Sequence, residues 1–153
     1  MAPTSLHIPA IGVATDLVGL GLNDDNTVEV PEDADKAGWF DLGPTPGRPG
    51  SAVILGHVDS SVGPAVFSRL RHLQAGDEVE VRLADGTTAP FAVTHVVTYP
   101  NDRFPARKVY AGTPRRPTLK LVTCGGRYDA EAGGYQSNVV VYTSYQQSHE
   151  SSS

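Results

Sequence analysis

His57 and Cys124 stand sixty-seven positions apart, and their residue types and local settings suit nucleophilic catalysis by a thiol. Cys124 is the only cysteine; it closes the apolar alternating run Pro117-Thr118-Leu119-Lys120-Leu121-Val122-Thr123 and is followed at once by Gly125-Gly126. A strand that ends in Cys and breaks into two glycines would hold the sulfur on a rigid scaffold, while the glycines let a substrate backbone approach closely. A lone cysteine would by itself argue only for a small buried hydrophobe at a strand end. The second motif changes that reading. Ser51-Ala52-Val53-Ile54-Leu55-Gly56-His57-Val58-Asp59-Ser60 likewise runs from an apolar strand through a glycine to one titratable residue at its end. A thiol nucleophile needs a proton partner, and a histidine from elsewhere in the fold commonly supplies it. With ordinary pKa values of ~8.5 for a thiol and ~6.5 for an imidazole, the thiolate–imidazolium pair is a minor species near neutral pH unless the site lowers the thiol value.

The four other histidines lack this setting. His95 lies inside the strand-like run 91–99, His72 on the polar side of a short helical stretch, His7 in the first strand and His149 in a polar tail. His57 and Asp59 could offer two metal ligands, but no companion His or Cys cluster lies nearby, so neither a metal nor a cofactor is expected. The glycine-rich segment 43–50 lacks a phosphate-loop pattern, and its prolines remove the amides a phosphate would need. Papain-like proteases place Cys before His. Caspases share the order seen here, but Val122-Thr123-Cys124 stands where their Gln-Ala-Cys would, and the helix–strand alternation of an α/β fold is missing.

Short strands must position the pair. Sixteen glycines and twelve prolines punctuate the apolar runs, which suits an all-β closed barrel with elaborate loops. Strands are expected near 5–9, 14–20, 27–30, 51–56, 77–84, 89–99, 118–124 and 135–144, with an Asp85-Gly86 hairpin turn. Short helical turns are expected near 32–37, 64–72 and 101–104; Val66, Phe67 and Leu70 would share a face packed on the barrel. Trp39-Phe40 reads as core or rim packing. At 153 residues and 39% hydrophobic, the chain can bury one substantial core, expected over 1–145, with a disordered polar tail over 146–153. The net charge of −5 and the lack of a basic stripe argue against nucleic acid.

At these motifs the chain resembles the sortases, the cysteine transpeptidases of Gram-positive cell surfaces. Thr118-Leu119-Lys120-Leu121-Val122-Thr123-Cys124 is similar to the family's cysteine strand, and Gly56-His57 to its histidine turn. Further similarities run from Leu6-His7-Ile8-Pro9-Ala10-Ile11-Gly12 through Tyr99-Pro100-Asn101-Asp102-Arg103-Phe104-Pro105 to Asn138-Val139-Val140-Val141-Tyr142, and their combination resembles class F, the actinobacterial type. The resemblance implies an eight-stranded sortase-type barrel. It also implies attack by Cys124 on an LPxTG-like sorting signal, with transfer of the acyl fragment to a cell-wall amine. Thr123 and Gly125, flanking the thiol, are expected to touch the peptide. The family generally completes the site with an arginine on the strand after the cysteine strand; the matching position here is Asn138, and Arg127 is the competing candidate for that role. Sortases are usually tethered by an N-terminal apolar segment, so a chain beginning Met1-Ala2-Pro3-Thr4 is expected to start after such an anchor, the whole protein acting at the outer face of the membrane. A peptidase that uses water as acceptor, or a binding module without activity on the same barrel, are the alternatives.

Overall fold

Period-two alternation of β-branched and aliphatic residues builds strands throughout the chain, and the turns fall at Gly, Pro and Asp. In the computed structural model residues 2–24, 28–60, 63–100, 104–105, 109, 116–129 and 134–146 are described, apart from the side chains at 59–60, 124–129 and 134–137. In chain order the strands are β1 (Pro3–Ile8), β2 (Val13–Leu20), β3 (Ala37–Phe40), β4 (Gly50–Leu55), the two-residue β5 (Asp59–Ser60) and β6 (Gly63–Pro64), β7 (Glu78–Leu83), β8 (Thr88–Pro100), β9 (Pro117–Asp129) and β10 (Gly134–Tyr145). Eight of them close a barrel in the order β1-β2-β3-β4-β9-β10-β8-β7, while β5 and β6 form a separate ribbon. This is the closed all-β barrel expected from the sequence. Its pairs are antiparallel except β2 with β3 and β4 with β9.

Several boundaries differ from expectation. The strand expected at 27–30 reduces to one bridge, Leu22 to Val28, and the unexpected β3 takes its place in the barrel. Ala37-Gly38-Trp39-Phe40 hides its strand signal because a mid-strand glycine weakens it. That glycine is required: a Cβ at Gly38 would lie 2.4 Å from Leu20 Cδ1. The helical turn expected at 32–37 is an Asx turn, in which Asp33 Oδ1 accepts from the Asp35 amide at 2.9 Å. Within 64–72 only Leu70–His72 is helical, as one 3-10 turn, yet Phe67 and Leu70 are fully buried as anticipated. The hairpin at Asp85-Gly86 forms between β7 and β8. Most of the turn expected at 101–104 and nearly all of the polar tail lie outside the described residues.

The strands separate two apolar clusters. Leu6, Ile8, Ala52, Ile54, Val79, Val81, Phe91, Leu119, Leu121 and Val141 fill the barrel interior. Val53, Leu55, Val122, Val140 and Tyr142, from the alternate positions of β4, β9 and β10, form a second cluster on the outer face with Leu20 and Val109. β4 is therefore buried along both faces, which explains its unbroken apolar run. Trp39 packs on the inner cluster and Phe40 on the outer one. The outer cover comes from the β8–β9 connection: Ser51 Oγ donates to the carbonyl of Val109, and Phe104 and Tyr99 pack edge to face, ring centroids 6.3 Å apart. Tyr142 meets the Tyr99 hydroxyl at 2.7 Å and stacks on His95 at 4.4 Å.

Burial, with the Tyr99 hydroxyl beside it, raises the Tyr142 phenol well above its ordinary value. A phenol raised on folding contributes stability that is intact below the unfolded pKa of ~10 and is lost as pH rises beyond it. Denaturant melts should show stability falling above about pH 10, and in Tyr142→Phe that alkaline loss should be smaller than in the parent.

Candidate active site

The parallel ladder of β4 with β9 brings the two catalytic candidates to one level. Its register runs from Gly50 opposite Pro117 to Leu55 opposite Val122, the same offset of sixty-seven that separates His57 from Cys124. The Gly56 amide extends the ladder by donating to the Val122 carbonyl at 3.1 Å. On the other side of β9, the antiparallel ladder with β10 sets Asn138 directly opposite Cys124. Neighbouring strands β9 and β10, ~4.8 Å apart, thus carry Cys124 and Asn138 as direct partners, and His57, two residues beyond the end of β4, completes the row by the continued register. Leu55, Val122 and Val140, which belong to the outer apolar cluster, lie two residues before His57, two before Cys124 and two after Asn138.

His57 is held from two directions. Its carbonyl accepts from the Phe67 amide at 2.9 Å, which ties it to the segment after β6. Its ring reaches the connection between β2 and β3, where Nε2 lies 2.6 Å from the Pro31 carbonyl oxygen. A carbonyl can only accept, so Nε2 carries the hydrogen. The ring is half-buried. A groove of about 370 Å³ opens beside Pro31, lined by Val18, Leu20 and Val30 with Glu29, Glu32, Asp33 and Lys36.

Other sequence candidates fare differently. The cysteine strand does not break at its glycines: β9 continues through Gly125-Gly126 to Asp129. The register slips between Tyr135 and Ser137, so Gly126 and Arg127 together face Gln136 in a bulge. A glycine pair fits such a bulge, where backbone geometry departs from the ladder. Arg127 is consequently a strand residue and not the loop residue its neighbours suggest. Thr123, expected among the peptide contacts, is buried at 4% exposed, and its Oγ1 has no hydrogen-bond partner among the described residues. Gly125 occupies the position opposite Ser137. The side chains of Cys124 and Arg127 lie outside the described residues, as does the sulfur-to-ring distance.

Of the remaining histidines, His7 and His72 are exposed, and His95 covers Tyr142. None of these three lies in the row, and His149 lies outside the described residues. Sequence reasoning missed Pro31 altogether; its proline and acidic neighbours suggested only a helix start. It also missed the burial of Lys120, which at 5% exposed donates from Nζ to Thr118 Oγ1 at 2.8 Å. No group of three or more His, Cys, Asp or Glu suited to a metal ion occurs among the described residues.

The closed eight-stranded barrel thus brings the histidine turn, the cysteine strand and the Asn138 strand together at one end of a parallel strand pair. The Sortase domain model matches residues 6–146, and the chain belongs to the sortase family. No curated protein matches it. Among solved structures, it is similar to sortase A from Corynebacterium diphtheriae, at 16% identity and a TM-score of 0.72 over 97% of this chain and 62% of that one. Sortase C-1 from Actinomyces oris is 18% identical with a TM-score of 0.71, covering 95% of this chain and 74% of that one. A Clostridium perfringens sortase D5 transpeptidase is 19% identical with a TM-score of 0.68, covering 95% and 79%. The chain thus spans less than two thirds of the length of the Corynebacterium protein. At these identities the three share the barrel fold, whatever their lettered types.

The glycine before His57 is spatially obligatory. A Cβ at Gly56 would meet the buried Phe67 ring at 2.6 Å and Val66 Cγ1 at 2.9 Å. Neither neighbour can retreat easily, because Phe67 lies in the inner core. Gly56→Ala is expected to cost about 1–3 kcal/mol of stability in denaturant melts, and to shift the His57 ring resonances.

Proposed function

We propose that this chain is a cysteine transpeptidase that cleaves a sorting-signal peptide and passes the acyl fragment to an amine. The observation that carries this reading is the register that aligns His57, just beyond β4, with Cys124 on β9 and Asn138 on β10. Membership of the sortase family supports it. The Cys124 thiolate attacks a backbone carbonyl, between Thr and Gly of an LPxTG-like motif; the C–N bond breaks, and imidazolium His57 gives its proton to the departing amine. An amine of a cell-wall precursor then attacks the thioester. It releases the thiolate and returns a proton to His57. The reaction takes place at the outer face of the membrane, with the whole protein anchored there, and the motif set fits class F.

Charge develops on the carbonyl oxygen in both steps and needs a fixed donor. Asn138 stands opposite Cys124, where the family carries an arginine. Its amide can donate a hydrogen bond to an oxyanion without bringing positive charge. Arg127, displaced into the bulge, is the alternative donor. The role assigned to Asn138 rests on direct cross-strand pairing, whereas Arg127 is three residues further along β9.

Mass spectrometry of an LPxTG peptide incubated with enzyme and excess amine should show the amine-capped N-terminal fragment. Release of the free acid alone would identify a hydrolase. Cys124→Ala should form no acyl-enzyme, and retained turnover would refute covalent catalysis at this residue. Removing one preorganised oxyanion donor costs ~10²–10³ in turnover, so Asn138→Ala should slow acylation by about that factor with little change in KM. Arg127→Ala should be nearly silent; the reverse ranking would transfer the role to Arg127.

A further inference from the structure

We propose that the main-chain carbonyl of Pro31 sets the protonation pattern of His57, so that Nδ1 is the nitrogen that exchanges protons during transpeptidation. This rests on the roles given to His57 and Cys124 above. Nε2 lies 2.6 Å from the Pro31 oxygen, an acceptor with no hydrogen to give. Nε2 is therefore protonated in both the neutral and the cationic ring. Only Nδ1 is left to gain and lose a proton.

The acceptor is built to stay in place. Pro31 is buried, and its ring fixes φ near −65°. On its N-terminal side Glu29 is fastened twice to Gly21: the Glu29 amide donates to the Gly21 carbonyl at 2.9 Å, and Glu29 Oε1 accepts from the Gly21 amide at 2.7 Å. On its C-terminal side the Ala34 carbonyl accepts from the Val66 amide at 3.0 Å. Val66 adjoins Phe67, whose amide binds the His57 carbonyl. The β2–β3 connection and the segment after β6 thus clasp both the ring and the backbone of His57. The positioning element comes from chain remote in sequence, twenty-six residues upstream of the ring it holds.

The chemical consequence is specific. In acylation the proton on Nδ1 passes to the nitrogen of the departing amine as the C–N bond breaks and the C–S bond forms. In transfer the incoming amine gives a proton to bare Nδ1 as its nitrogen bonds to the carbonyl carbon and the C–S bond breaks. Nε2–H remains bonded to Pro31 throughout. The ring thereby pivots on a fixed point and presents one nitrogen to both amines. Pro31 acts through His57, as a positioning residue.

The test reads the tautomer directly. In 15N-labelled enzyme, with His57 assigned by comparison with His57→Gln, the neutral ring should carry its hydrogen on Nε2. Replacing Glu32 by its α-hydroxy acid turns the Pro31 carbonyl into an ester carbonyl, a weaker acceptor. In that variant the Nδ1–H tautomer should rise and kcat should fall by about threefold to tenfold with KM unchanged. A neutral ring protonated on Nδ1 in the parent, or an ester variant with unaltered tautomer ratio and kcat, overturns the proposal. Its failure is distinguishable from failure of the covalent reading, because turnover by Cys124→Ala would sink the latter while leaving the tautomer result standing.

Discussion

The parallel pairing of β4 with β9 is the constraint on which the site depends. Parallel neighbours cannot be joined by a tight turn and need a long crossover, here one that contains β5 to β8. The crossover lets residues sixty-seven positions apart reach the same level of adjacent strands. A slip of one residue would reverse which face each position of β9 presents, and so would part Cys124 from the row. Burial on both faces prevents that slip. Ala52 and Ile54 are locked into the inner cluster while Val53 and Leu55 are locked into the outer one.

The outer cluster makes the site possible as well as stable. In a simple barrel the outside would be wet and its positions polar. Here Phe104 and Val109, from between β8 and β9, join the outer cluster, with Val109 fully buried against Ser51 and Phe104 against Tyr99. Leu55, Val122 and Val140 of that cluster stand two residues from His57, Cys124 and Asn138 along their chain segments. The β2–β3 connection bounds the row on the His57 side, where its acidic residues edge the groove beside Pro31.

Much of this was legible in the sequence because it is written in local patterns. Apolar alternation identified most barrel strands, and Asp85-Gly86 marked its hairpin. The paired strand endings singled out His57 and Cys124 as candidates, and the β4–β9 register keeps the same offset between them. What escaped was set by tertiary contacts. β3 was hidden because Gly38 serves the close approach of Leu20 and not strand propensity. Gly125-Gly126 looked like a strand end because a bulge and a terminus use the same residue. Lys120 sat at a polar place in the alternation, yet it is buried and bonded to Thr118. Pro31 carried no signal, since its contribution is a carbonyl oxygen that every residue type possesses.

The central claim is that Cys124 is a nucleophile activated by His57. Because the chain has a single cysteine, intact mass alone reports its modification. The most direct measurement is the rate of covalent labelling by a sorting-signal peptide that carries an electrophile in place of the scissile carbonyl. The account predicts one stoichiometric adduct on the folded parent and its near-complete loss in His57→Ala that retains the fold. Equal labelling of parent and His57→Ala, or labelling no faster than that of the unfolded chain, would contradict it.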